Sequence, residues 1–270
     1  MNPFTLVLFI CALLINVSSA TAASEIDRLA QWDAESAEVV DHSIFAGFLS
    51  DYVETAEDGV NRVRYEAVSP TDRQRLDEYI ETLAAKDPIQ LNRSEAFAYW
   101  VNLYNALTVQ LILEHYPVKS IREIKPNPFA SGPWRMELVT VSGISLTLDD
   151  IEHGILRAQW RDARIHYAVN CASISCPNLL NHPYTGAELN TMLDGAAQAY
   201  VNHPRGVRVK GKGKLILSSI YKWYAGDFGG DEQGVINHLL KYAGPALAAE
   251  LRDAQSIDGY EYDWSLNEAR

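Results

Sequence analysis

Between Ser94 and His115 the chain reads SEAFAYWVNLYNALTVQLILEH, and wound as a helix this segment is apolar or aromatic on nearly every side. An amphipathic helix can lie on a surface, but one that is apolar all round has to be enclosed, so the rest of the chain must be built around it. Asn92 or Ser94 can cap its start and Pro117 stops it. At about 100° per residue Glu95 and Asn102 fall within about 20° of each other, with Tyr99 beside them and Asn105 at the edge of the same face. The buried helix therefore carries one polar stripe. Those groups must find partners, either core backbone or whatever occupies a pocket.

Periodicity and punctuation place the other elements. Residues 24–55 read as a helical amino-terminal region, followed by a short strand around Glu57 to Tyr65. A helix over 71–85 repeats Leu76, Tyr79, Ile80 and Leu83 and ends at Asp87-Pro88. Past Pro126, Pro128 and Pro133, residues 137–146 form a hairpin turning near Ser142-Gly143. Thr147 to Asp150 has capping-box character and opens a helix with Glu152, His153 and Arg157. Arg164 to Asn170 alternates as a strand running into Cys171-Ala172-Ser173-Ile174-Ser175-Cys176-Pro177. A helix over 185–201, a glycine-turned hairpin over 207–217 and a helix over 234–240 follow. Helices and antiparallel hairpins without strand-helix alternation predict a single α+β domain with a buried central helix.

Phe4 to Val17 is almost unbroken Leu, Ile, Val, Phe and Ala, followed by small residues through Ala22. This is a signal peptide pattern over 1–22, and its apolar run of about 14 residues is shorter than the roughly 20 a bilayer span needs. Cys11 lies inside the apolar run and not at the cleavage point, so no lipoprotein anchor is read. The expectation is a secreted or periplasmic protein of about 248 residues with no membrane anchor. A net charge of −12 makes nucleic acid a poor partner.

Cleavage leaves Cys171 and Cys176, too few for a disulfide framework, and the segment His166–Cys176 becomes the candidate centre. A cysteine near imidazoles and a carboxylate can be a nucleophile. His166 and His153 are candidate bases, Glu95 and Asn102 candidate orienters, and Asn105 or backbone amides after Cys171 candidate oxyanion donors. Tyr99, Asn102, Asn105, Lys222 and Trp223 are candidate binding residues, with Tyr224 and Asp227 as further pocket candidates. The rival is a Cys171–Cys176 disulfide, whose small loop contributes only about 2 kcal/mol. No His or Cys spacing matches a zinc site, and Gly211-x-Gly213 belongs to a basic hairpin turn, so no metal or cofactor is expected.

The segments Ala98–Ala106, Ile151–Arg157, Ile165–Ser173 and Leu217–Tyr224 resemble, in order, the signature blocks of the family catalogued as domain of unknown function 547. The resemblance covers roughly residues 85–230, between the helical region 23–84 and a helical extension 231–270. It implies a fold more firmly than a reaction. Similar plant proteins carry coiled coils and look like interaction proteins, whereas bacterial exported members stand nearly alone. Two functions are open: a cysteine-dependent hydrolase or acyl transferase acting on an amide, peptide or thioester, and a non-catalytic domain holding a small molecule, peptide or partner protein in the same pocket.

Overall fold

The computed structural model describes residues 25–211, 213–254 and 256–269, and the signal peptide expected at 1–22 lies outside them. Helix α1 (Ser43–Tyr52) leads into an antiparallel pair, β1 (Val53–Thr55) and β2 (Asn61–Val63). Helix α2 (Pro70–Ala84) starts at Ser69, whose hydroxyl accepts the Asp72 N–H, and it buries Leu76, Tyr79, Ile80 and Leu83. Helix α3 (Arg93–His115) is capped by Asn92, whose side-chain oxygen accepts the N–H groups of Ser94 and Glu95. Every residue of α3 from Glu95 to Val109 is buried. By length and composition it could cross a membrane, yet 94% of its most apolar window is enclosed by the protein itself.

The polar stripe of α3 is what attaches irregular chain to it. Glu95 accepts the N–H of Val40 at 2.8 Å and of Gly186 at 3.0 Å. Asn102 exchanges two bonds with the backbone of Tyr184, giving to its carbonyl at 2.8 Å and taking from its N–H at 2.9 Å. Asn105 does the same across a bend, giving to Ala168 O at 3.0 Å and taking from Asn170 N–H at 2.8 Å. Tyr99 donates to Leu83 O at 2.9 Å, tying α2 to α3. These amides act as single rungs of a sheet ladder with no sheet present.

Two expected elements differ for this reason. Residues 36–42, read as helix, run without one, because the Val40 N–H is held by Glu95. Arg164–Asn170, read as a strand, contains the short helix α4 (Ile165–Ala168), all four residues of which are buried. Asn105 takes the backbone groups that a ladder would have used, and tertiary capture overrides the β propensity of the segment.

The hairpin β3 (Val139–Val141) and β4 (Ile144–Leu146) turns at Ser142 (φ 49°) and Gly143 (φ 83°), the two-positive-φ turn that suits a strand pair. Thr147 and Asp150 form the reciprocal capping box, but residues Asp150–Arg157 are then wound as a π-helix before Ala158–Trp160 resumes α geometry. Helix α5 (Leu189–Val201), strands β5 (Val207–Lys210) and β6 (Lys214–Ser218), the turn α6 (Ile220–Trp223), helices α7 (Glu232–Leu240) and α8 (Pro245–Arg252) and strand β7 (Ser256–Glu261) form a second cluster around Tyr167, Tyr200, Tyr221 and Phe228. Strand β7 pairs parallel to β6, so the expected helical C-terminal extension includes a sheet edge. The architecture is α+β.

Asn102→Leu should cost on the order of 3 kcal/mol in urea unfolding, because it strands both backbone groups of Tyr184; a loss below about 0.5 kcal/mol would show that water replaces the amide. A second expectation concerns pH. Burial pushes His42 and His238 down to about 4 from 6.5. The unfolded chain binds these protons near pH 6.5 and the folded chain only near 4, so their contribution is complete above 6.5 and is lost as pH falls toward 4. Unfolding curves at pH 7.5, 5.5 and 4.5 should show this fall, with a shallower slope in His42→Gln.

Candidate functional site

The Cys171–Pro177 loop leaves α4 in an unusual conformation. Ala172 has φ 55° without being glycine, and it is fixed there by Asn170 Oδ1, which accepts its N–H at 2.8 Å, and by Asn267, whose N–H donates to its carbonyl at 3.1 Å. A left-handed alanine costs on the order of 1 kcal/mol and persists only where neighbours over-determine it. The C-terminal segment supplies that restraint. Ile174 N–H donates to Ser265 O, Ser175 N–H to Asp263 O, and Asp263 N–H to Ser175 Oγ, so residues 263–267 lie along the cysteine loop like an added strand.

Cys171 and Cys176 are both free thiols, with Sγ atoms 3.0 Å apart. Cys171 is partly exposed and Cys176 is buried. The Cys171 N–H donates to Cys176 Sγ at 3.0 Å, and Cys171 Sγ lies 3.2 Å from Ser173 Oγ and 3.1 Å from Tyr262 Oη. The hydrogen bond between the two sulfurs, helped by the Ser173 and Tyr262 hydroxyls, lowers the Cys171 pKa, whereas burial raises that of Cys176. The two sulfurs are thus shifted in opposite directions.

Beside the thiols lies a charged cluster. The π-helix brings Glu152, His153 and Arg157 toward α4. His166 Nε2 is 2.7 Å from Asp227 Oδ2, which also accepts from Arg157 Nε at 2.6 Å. The His166 hydrogen bond, followed by Arg157, holds the Asp227 carboxyl well below the usual carboxylate range. Glu152 Oε1 stands 3.7 Å from His166 Nδ1 and 3.8 Å from His153 Nδ1, and Tyr104 donates to Glu152 Oε2 at 3.2 Å. Tyr224 stacks on His166 with ring centroids 4.0 Å apart and carries the Arg157 guanidinium on its ring. Arg157 Nη1 donates to His153 Nδ1 at 3.2 Å, so the proton of a neutral His153 is on Nε2. His153 is 36% exposed at its side chain and His166 2%, which makes His153 the imidazole able to meet a bound molecule.

The two cysteines with Tyr104, Glu152, His153, His166 and Tyr224 line one cleft of about 810 Å³, with Trp134, Trp223, Tyr262 and Trp264 forming an aromatic wall. Of the residues singled out in the sequence, Cys171, Cys176, His166, His153, Trp223 and Tyr224 line this cleft, and Asp227 stands behind His166 outside the lining. Glu95, Tyr99, Asn102 and Asn105 do not; they hold backbone elsewhere along α3, and both polar ends of the Asn105 amide are already engaged. Lys222 sits over the Tyr260 ring, away from the lining. The expected thiol–imidazole bond is not among the contacts of Cys171, which run to Cys176, Ser173 and Tyr262. Among the described residues no three His, Cys, Asp or Glu side chains group as a metal site.

Fold and site together define an α+β domain with a paired-thiol cleft beside an imidazole–carboxylate cluster. Residues 88–201 match the family described as Protein of unknown function, DUF547, and the match spans three of the four resembling segments, leaving Leu217–Tyr224 outside it. No curated protein matches the chain, and no solved structure does.

Tyr262→Phe removes a hydroxyl from Cys171 without touching either imidazole. Alkylation of Cys171 at pH 6 should slow several-fold in that variant, while wild-type Cys171 should alkylate well ahead of Cys176. Equal rates at the two cysteines would overturn the assignment of Cys171 as the activated thiol.

Proposed function

We propose that the cleft is the active site of a cysteine-dependent hydrolase or acyl transferase acting on an amide, peptide or thioester bond. The observation that carries this reading is the Cys171 sulfur, partly exposed in the cleft and flanked by two hydroxyls that favour its thiolate. The thiolate attacks the acyl carbon and the carbonyl electrons move to oxygen. As the tetrahedral species collapses, the leaving group takes the Nε2 proton of His153 in its imidazolium form, whose charge Glu152 balances from 3.8 Å, and the acyl group stays on sulfur. Water or an acceptor nucleophile gives a proton back to His153 as it displaces Cys171. His166 is a positioning residue: held between Asp227 and Tyr224, it keeps Nδ1 3.7 Å from the Glu152 carboxylate, which Tyr104 anchors and which stands 3.8 Å from His153.

A second reading, a non-catalytic domain for a small molecule, peptide or partner protein, is favoured by the aromatic wall and by imidazoles bonded to Asp227 and to Arg157 and not to the thiol. One experiment separates the two. A panel of aryl thioesters and peptide anilides is incubated with the protein and followed by intact mass. Acylation confined to Cys171, abolished in Cys171→Ala and with turnover reduced about 10²-fold in His153→Gln, is the expected result. Peptide binding that quenches tryptophan fluorescence equally in wild type and Cys171→Ala, with no acyl adduct, would replace the enzyme by the binding domain.

A further inference from the structure

We propose that Cys171 and Cys176 are also a reversible redox pair: a small hydroperoxide oxidises Cys171 in the cleft, and Cys176 resolves the product into an intramolecular disulfide. The acyl-transfer reading needs one sulfur, and the structure holds two in contact. Their Sγ atoms are 3.0 Å apart, against about 2.05 Å in a disulfide, so closure needs a shift of about 1 Å. The loop between them is already folded back, with Cys176 N–H bonded to Ser173 O at 3.0 Å and Ala172 in its left-handed conformation. Access is unequal in the sense the chemistry requires. Cys171 is partly exposed to a cleft of about 810 Å³, whereas Cys176 lines the same cleft from a buried position.

The Cys171 thiolate attacks one oxygen of ROOH, the O–O bond breaks, and the departing alkoxide takes a proton to leave as ROH; the sulfur is then a sulfenic acid. Cys176 attacks that sulfur, the S–S bond forms, and hydroxide leaves with the Cys176 proton as water. Two electrons have passed from the thiols to the peroxide, and an external dithiol returns the pair to its reduced form by exchange. A consequence that rests on the acyl-transfer reading is that oxidation withdraws the nucleophile and silences the site.

The test uses the reduced full chain and hydrogen peroxide, read by intact mass and by thiol labelling. The wild type should lose the mass of two hydrogens, protect both cysteines from alkylation, and recover on adding dithiothreitol. Cys176→Ser, with Cys176→Ala as a second variant should the buried serine disturb folding, should instead accumulate a Cys171 sulfenic acid captured by dimedone. In Cys171→Ser, Cys176 should stay reduced. Accumulation of sulfinic acid at wild-type Cys171 without a disulfide, or oxidation of Cys176 at the wild-type rate when Cys171 is absent, would overturn the proposal. Because the readout is sulfur oxidation state, its failure leaves the acyl-adduct experiment independent.

Discussion

Enclosing α3 obliges Glu95, Asn102 and Asn105 to find partners inside the protein, and that requirement organises the fold. An unpaired buried amide or carboxylate costs several times what one ordinary hydrogen bond contributes. Glu95, Asn102 and Asn105 therefore capture backbone from Val40, Gly186, Tyr184, Ala168 and Asn170, all but Ala168, at the end of α4, lying outside helix and strand where they are held. The close approach has its own demand: a Cβ on Gly186 would stand 2.2 Å from Glu95 Oε2, so glycine is what the contact admits. Asn105 matters most for the site, because it sets the chain direction at Ala168–Asn170, immediately before Cys171.

Three separate parts of the chain then converge. The π-helix contributes Glu152, His153 and Arg157, the α4 loop contributes His166 and the two cysteines, and the C-terminal segment contributes Tyr262 and Trp264 while bonding along the loop. Two carboxylates, two imidazoles and one guanidinium share a small volume, and their pairing divides them by exposure. His166 and Asp227 spend their polarity on each other and on Arg157, while His153 keeps part of its ring in the cleft. The sulfur chemistry is kept apart from this cluster by the contacts of Cys171 with hydroxyls and with Cys176.

The family match covers residues 88–201 and assigns no reaction, so chemistry has to be argued from the groups themselves. A thiol whose neighbours favour its charged form can serve as an acyl acceptor and as the point of oxidation, since both begin with the same attacking thiolate. What distinguishes the two is the neighbour consumed: a bound acyl compound in one case, Cys176 in the other.

Much of this was readable in the chain alone. The buried helix, the α2 periodicity, the Ser142-Gly143 hairpin and the Thr147–Asp150 cap all depend on spacing within about 20 residues, which local physics governs. The π-winding of Asp150–Arg157, the helical turn at Ile165–Ala168 and the roles of Glu95, Asn102 and Asn105 could not be read that way, because each is decided by a partner far along the chain. Tyr262 and Trp264 were invisible for the same reason: 91 residues separate Tyr262 from the sulfur it touches, and no local pattern marks a tail that folds back to close a site. Sequence determined that the helix must be enclosed and that its polar stripe must be satisfied; tertiary structure decided which groups satisfy it, because hydrogen-bond partners are chosen by proximity in space.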